Sequence, residues 1–310
     1  MNYVAELKVQ LLGSPQIEIN SESVKINRRK AMALLAYLAV TRHSHNRDAL
    51  ATLFWPETPH NRARANLRQT LWELNNALGE PWIATEDETL ALRTDPNVWV
   101  DVHAFQASLV ACQTHGHPID QACADCVPLL TELITLYRDD FLSGFSLPDS
   151  PAFDEWQYLE TEDFRRKFAD GLENLGDYLI GIGDFEAAIA AIRRWSALDP
   201  LNDTPHYRLL QLYAWTDQRA AAVRQYRKYT KLLKQELGLG PREDISILYQ
   251  RIRRGEAQQQ KVSPALDYKI ADLVGEQPAA PAAPELSLRA KDEIRLSTVL
   301  VVGLSNADAI

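Results

Sequence analysis

The chain has 310 residues, 46% of them hydrophobic, and a formal net charge of −9. Two domains and a further fragment fit that length. The longest apolar run, Ala31 to Val40, is ten residues and too short to cross a bilayer. The opening MNYVAELKVQ has neither a basic nor an apolar leader region. The three cysteines, an odd number, suit a reducing cytoplasm better than a disulfide framework.

Short apolar alternations open the chain. LKVQLLG (Leu7 to Gly13), QIEI (Gln16 to Ile19) and VKI (Val24 to Ile26) read as strands, separated by Gly13, Ser14, Pro15, Asn20 and Ser21. Three amphipathic helices follow. The first, about Asn27 to Arg42, places Ala31, Leu34, Leu35 and Leu38 on one stripe and begins with Arg28, Arg29 and Lys30. The second, about Asn46 to Trp55, has Asn46 as its cap and turns Leu50, Leu53 and Phe54 inward.

The third helix carries the most chemistry. Thr58 reads as its N-cap, Pro59 as its first residue and Gly79 as its left-handed stop. Leu67, Leu71, Leu74 and Leu78 form one core stripe. The opposite arc holds Arg62, Ala65, Asn66, Gln69 and Glu73, flanked by Arg64 and Arg68. A helix whose outer N-terminal half is small and polar can enter a major groove of double-stranded DNA. A solvated face with ordinary charges is the bland alternative. Between Lys25 and Arg68 stand nine Lys/Arg against two acids, an excess of +7 in an acidic chain, which is the footprint of a polyanion site. After the helices, WIA (Trp82 to Ala84) and TLAL (Thr89 to Leu92) bracket an acidic hairpin tip at Glu86, Asp87 and Glu88. Trp72 lies off the leucine stripe and is expected to pack against that hairpin or the following domain.

Strands, three helices and a hairpin make a winged helix with an N-terminal sheet. On RRKAMALLAYLAV, NRDALATLFWPE, RARANLRQTLWELNNALG and VWVDVHAF, this segment resembles the response-regulator-type DNA-binding domain of bacterial antibiotic regulatory proteins. Those proteins usually carry arginines late in the third helix, where this chain has Glu73, Asn75 and Asn76. The missing charges and the acidic hairpin imply weak binding by a monomer, strengthened by dimerisation or a second domain.

From Val102 the pattern is helical throughout. A 34-residue register starting at Ala169 puts Leu172, Leu175, Gly176, Leu179, Ala188 and Pro200 at tetratricopeptide positions. A second register from Asp203 puts Leu209, Tyr213, Ala222 and Tyr226 likewise, with Leu210 where a small residue is usual and Lys234 where proline is. A capping helix follows at about Arg242 to Arg254. With LYRDDFLSGF, FDEWQYLE and QELGLGPREDISILYQRI, this stretch resembles the bacterial transcriptional activator domain. The resemblance implies a module for dimerisation and for contacts with RNA polymerase or a signalling partner, consistent with the concave groove that such repeats form. Residues 101–168 carry twelve acids against four bases and are not expected to touch DNA.

Within that region Cys112, His115, His117, Cys123 and Cys126 cluster. Read as C-x2-H, seven residues, then C-x2-C, the cluster offers Cys112, His115, Cys123 and Cys126 as a candidate structural zinc set. Two buried cysteines beside surface histidines is the alternative. After Gly255, EAQQQKVSPALDYK and GEQPAAPAAPELS read as a Pro/Ala-rich linker. The tail KDEIRLSTVLVVGLSNADAI is similar to the opening strand of class III nucleotide cyclase domains, but Gly303 stands where that family has a metal-binding aspartate.

The sequence therefore predicts a mainly α chain: a winged helix over 1–100, a tetratricopeptide-like activator domain over 101–255, a linker over 256–290 and a further fragment over 291–310. It contains no phosphate-cradling glycine loop, placed nucleophile or paired catalytic acids, so an enzyme is not expected. The expected function is a cytoplasmic DNA-binding transcriptional regulator acting as a homodimer, with no membrane partner. Arg28, Arg29 and Lys30 are expected near phosphates, and Arg62, Arg64, Asn66, Arg68 and Gln69 in the groove. A protein-interaction scaffold whose winged helix no longer binds DNA is the rival, favoured by the acidic hairpin.

Overall fold

A computed structural model describes residues 5–114, 116–118 and 121–256; the expected linker and tail lie outside the described residues. Buried Leu7 and Val9 alternate with half-exposed Lys8 and Gln10, and this period of two makes β1 (Leu7–Gln10). A turn leads into antiparallel β2 (Gln16–Ile19), and two residues, Glu22–Ser23, add β3 at the edge. The third strand thus precedes the expected Val24 to Ile26. Asn20 and Ser21 both take positive φ, so the chain reverses tightly and pairs at once.

Three helices follow: α1 (Arg29–Thr41), α2 (Arg47–Phe54) and α3 (His60–Leu78). The Asn46 side chain accepts from the Asp48 N–H at 2.7 Å and caps α2 as expected. The start of α3 differs from expectation. Pro59 occupies the cap position, and its carbonyl accepts from the Arg62 and Ala63 N–H groups. Thr58 belongs instead to the preceding turn, where its N–H donates to Trp55. Gly79, at φ 71°, ends α3 in the left-handed region.

The hairpin of β5 (Ile83–Glu86) and β6 (Thr89–Leu92) is the wing. A short strand that the pattern had not revealed, β4 (His45–Asn46), pairs with β6 and ties the wing to the start of α2. Another, β7 (Val98–Val100), runs parallel to β1 and completes a sheet ordered β3-β2-β1-β7.

From β7 the chain enters α4 (Asp101–Gln113), α5 (Cys126–Leu136) and α6 (Pro151–Ile182), then α7 (Phe185–Leu198), α8 (Asp203–Trp215), α9 (Arg219–Glu236) and α10 (Glu243–Arg254). The repeat register holds. Leu172, Leu175, Leu179 and Ala188 are buried between α6 and α7. A Cβ on Gly176 would stand 2.9 Å from Ile192, so the small residue is what lets these helices approach. In the second pair Leu209, Leu210, Tyr213 and Ala222 are buried, and the looser residue Leu210 simply joins the core. Tyr226 and Tyr249 stack at 3.8 Å and seat α10.

One buried carboxylate joins the sheet to the helices. Asp101, 1% exposed, accepts the Leu11 N–H on both oxygens at 2.9 and 2.8 Å and the Leu12 N–H at 2.8 Å. It also accepts from Val102 at the start of its own helix. Burial pushes its pKa up, while those N–H groups and Arg138 pull it back. The segment just past β1 is then threaded into the helical domain. Leu142 N–H donates to Leu11, Arg138 N–H to Leu12, and Gly13 N–H to Asp140. Gly13, at φ 121° with the Arg138 Cβ 3.3 Å from a virtual Cβ, fits there because it is glycine. An aromatic seam extends the joint, with Phe54 5.5 Å from Phe153 and Tyr37 4.8 Å from Trp156. Among the described residues the core runs without a break from Leu7 to Ile252.

Removing the Asp101 carboxylate takes the acceptor from three buried N–H groups, those of Leu11, Leu12 and Val102. Asp101→Ala is expected to lower the unfolding free energy by about 3 kcal/mol or more, since each such orphan costs roughly 1–3. Urea denaturation followed by circular dichroism checks this; an unchanged midpoint would refute the role given to Asp101.

Candidate nucleic-acid interface

The faces of α3 divide as its spacing requires. Ala63, Leu67, Thr70, Leu71, Leu74 and Leu78 are buried, and Arg62, Ala65, Arg68, Gln69, Trp72 and Asn76 are exposed, with Asn66 half-buried between them. The outer stripe is small or polar over its first half, where a groove would be read.

The charged groups around this stripe are unequally available. Arg62 and Arg68 are exposed and join no ion pair among the described residues. Arg64 is held between two acids, Asp48 at 2.9 Å and Glu88 at the wing tip. Arg28 pairs with Glu73 at 2.9 Å, and the same oxygen accepts from Gln69 at 3.0 Å. The Gln69 hydrogen bond and the Arg28 charge hold the Glu73 carboxyl below its usual range. Solvent-exposed pairs of this kind are individually weak and exchange readily for a polyanion.

Arg29 and Lys30 are placed otherwise than expected. The Arg29 guanidinium donates to the Ser146 carbonyl at 3.1 Å and lies over the Phe145 ring at 5.1 Å. Lys30, its side chain 11% exposed, pairs with Asp149 at 2.7 Å and sits over Trp55. The first turn of α1 packs on the 145–149 segment, so two of the three opening cations serve the joint between the domains. Only Arg28 faces α3.

Sequence reasoning overlooked Arg47. With Asn61, Arg64, Leu67, Arg68 and Glu88 it lines a crevice of about 390 Å³ between α3 and the wing. Its Nε is buried without a hydrogen-bond partner. The available signal was a cation directly after the Asn46 cap, where the wing must approach. A second basic segment was also passed over. From Arg219 to Arg254 stand ten Lys/Arg against three acids, and Arg224, Arg227, Lys228, Lys231 and Lys234 of α9 are all exposed.

Away from this face, Cys112, His117 and Cys126 converge at the α4–α5 turn, their ligand atoms within 4.8 Å of one another. Burial, followed by the neighbouring Cys126, pushes the Cys112 thiol up to about 12. The expected ligand His115 lies outside the described residues.

Trp72 does not pack against wing or activator domain as expected; it is 61% exposed on the outer stripe of α3. Trp72→Ala is therefore expected to change the unfolding free energy by less than about 0.5 kcal/mol, as for other surface sites. A loss above about 2 kcal/mol in chemical denaturation would show that the indole is covered in solution.

Known proteins share this arrangement. Residues 100–253 match the bacterial transcriptional activator domain family. Over 251 residues the chain is 24% identical to the regulatory protein AfsR of Streptomyces griseus, a match covering 81% of this chain and 25% of that protein. The chain thus spans about a quarter of the length of AfsR. It is 22% identical over 258 residues to the transcriptional regulatory protein MoaR1 of Mycobacterium bovis, covering 80% of this chain and 79% of the relative. Among solved structures, Mycobacterium tuberculosis EmbR in complex with a low-affinity phosphopeptide superposes with a TM-score of 0.58 at 22% identity, covering 87% of this chain and 69% of that one. The order of elements, the match over the helical half and similarity to named regulators across four-fifths of the chain agree. Residues 100–253 thus form a bacterial transcriptional activator domain, and over four-fifths of its length the chain is similar to proteins named as regulators of transcription.

Proposed function

We propose that the chain regulates transcription by laying the N-terminal half of α3 in the major groove of double-stranded DNA. The observation that carries this reading is the exposed stripe from Arg62 to Gln69, with the Arg47–Arg64–Arg68 crevice beside it. Arg62 or Arg68 matches the paired acceptors of guanine, and the amides of Asn66 and Gln69 match the adenine edge. Arg64, Arg28 and Arg47 face phosphates once Glu88 and Glu73 release the first two. Arg29 and Lys30 have no part in it, since they hold the joint.

The division at residue 100 separates reader from activator module, with the linker and a further fragment beyond residue 255. The helical module, stiffly joined to the reader, pairs two protomers on neighbouring half-sites in the cytoplasm or receives RNA polymerase or a signalling partner. The acidic wing and few free cations make a single protomer a weak binder, so pairing supplies the missing affinity.

Fluorescence anisotropy with a random-sequence duplex at low salt tests the reading. The wild-type chain is expected to bind weakly, with an affinity that falls as salt rises. On a random-sequence duplex these two guanidinium groups rest on phosphates, so Arg62→Ala with Arg68→Ala should flatten the slope of log K against log salt by about 2, near 0.9 per lost phosphate contact. Binding that is absent at every salt concentration, or unchanged in that double variant, would contradict it. A second variant acts in the opposite direction. Glu88→Gln removes one of the two acids that hold Arg64 and a negative charge from the wing tip, and is expected to tighten binding and steepen the same slope by about 1; weaker binding would show that the Arg64–Glu88 pair shapes the site rather than masking it.

A further inference from the structure

The turn between α4 and α5 gathers every cysteine of the chain. Cys112 lies in the last turn of α4, Cys126 opens α5, and both are buried. His117 in the connection brings Nε2 to 3.1 Å from the Cys126 sulfur. Cys123 places its sulfur 3.8 Å from that of Cys126, its carbonyl accepting the Cys126 N–H at 3.0 Å. This one-turn reversal points both thiols to the same side.

Those spacings match one metal. A tetrahedral zinc with Zn–S bonds of about 2.3 Å holds its sulfurs about 3.8 Å apart and a sulfur about 3.5 Å from a ligating nitrogen. The Cys123–Cys126 distance already has the first value, and the His117–Cys126 distance needs to open by a few tenths of an ångström. The imidazole is also correctly oriented. Its Nδ1 lies 2.9 Å from the Pro118 carbonyl, which can only accept. Nδ1 therefore carries the proton and Nε2 turns its lone pair toward the sulfurs, the arrangement by which backbone carbonyls orient zinc-bound histidines.

We propose that Cys112, His117, Cys123 and Cys126 form a structural zinc site that clips the end of α4 to the start of α5. The histidine is His117, in place of the His115 suggested by spacing. The Cys112, His117 and Cys126 ligand atoms already lie within 4.8 Å of one another, and Cys123, beside Cys126, is the fourth ligand that would close the shell and make the ion structural. Because α5 packs on α6, the clip fixes the entry to the helical module, and metal binding is linked to its folding.

Cobalt titration of the full-length chain, stripped of metal and kept reduced, tests this directly. One equivalent of Co(II) is expected to give thiolate-to-cobalt charge transfer and the visible bands of a tetrahedral site, both abolished by one equivalent of zinc. His117→Ala, with folding checked by circular dichroism, should weaken that binding by about tenfold or more, and His115→Ala should leave the spectrum unchanged. Tetrahedral bands absent from the wild-type chain, loss of them in His115→Ala but not His117→Ala, or a Cys123–Cys126 disulfide in the reduced preparation would each overturn the assignment.

Discussion

The Asp101 carboxylate, buried at the start of α4 and holding the Leu11 and Leu12 N–H groups, is the constraint on which the rest of the molecule depends. It fixes the N-terminal sheet where the helical module begins. The residues after β1 then run against Phe141 and Leu142, and the aromatic rings of α2 and α6 interlock beside them. A winged helix on a flexible tether could sample many orientations. Here α3 is presented from a continuous core that extends to Ile252, so its direction is set by the activator module. Two such modules, once paired, would hold two recognition helices at a defined separation.

The same joint accounts for which charges are free. The excess of +7 around the three helices is real, but it is divided among three tasks. Arg29 and Lys30 secure the 145–149 segment, Arg28 and Arg64 are paired with Glu73 and Glu88, and Arg62 and Arg68 face solvent. In the proposed complex a duplex would have to displace the paired carboxylates to recruit the second group. The exposed Arg64–Glu88 and Arg28–Glu73 contacts are weak enough for that, whereas the largely buried Lys30, stacked over Trp55, is not. On that proposal, intrinsic affinity is limited by competition within the molecule, and sequence selectivity comes from few contacts.

Much of this was legible in the chain itself. The leucine stripes of α1 and α3, the Asn46 cap and the Gly176 close approach are local or near-local, and spacing alone exposes them. What was hidden depends on distant residues. β4 and β7 are two and three residues long and exist only because β6 and β1 lie alongside. Pro59, and not Thr58, caps α3 because the preceding chain is already committed to a turn on Trp55. Arg29 and Lys30 look like phosphate contacts until the residues around Phe145 and Asp149, more than a hundred positions later, come back to pair with them, burying most of Lys30 and leaving Arg29 exposed. The exposed Trp72 follows the same logic in reverse, since nothing among the described residues returns to cover it.

The most direct test of this account is to map guanidinium reactivity toward phenylglyoxal by mass spectrometry, with and without a random-sequence duplex at low ionic strength. Arg62 and Arg68 are expected to react readily in the free chain and to be protected by the duplex, while the reactivity of Arg29, engaged with Ser146, and of Arg224 and Arg227 on α9 is unchanged by it. Protection of Arg224 and Arg227 with Arg62 and Arg68 unchanged would move the nucleic-acid face to the far end of the helical module and contradict the central claim.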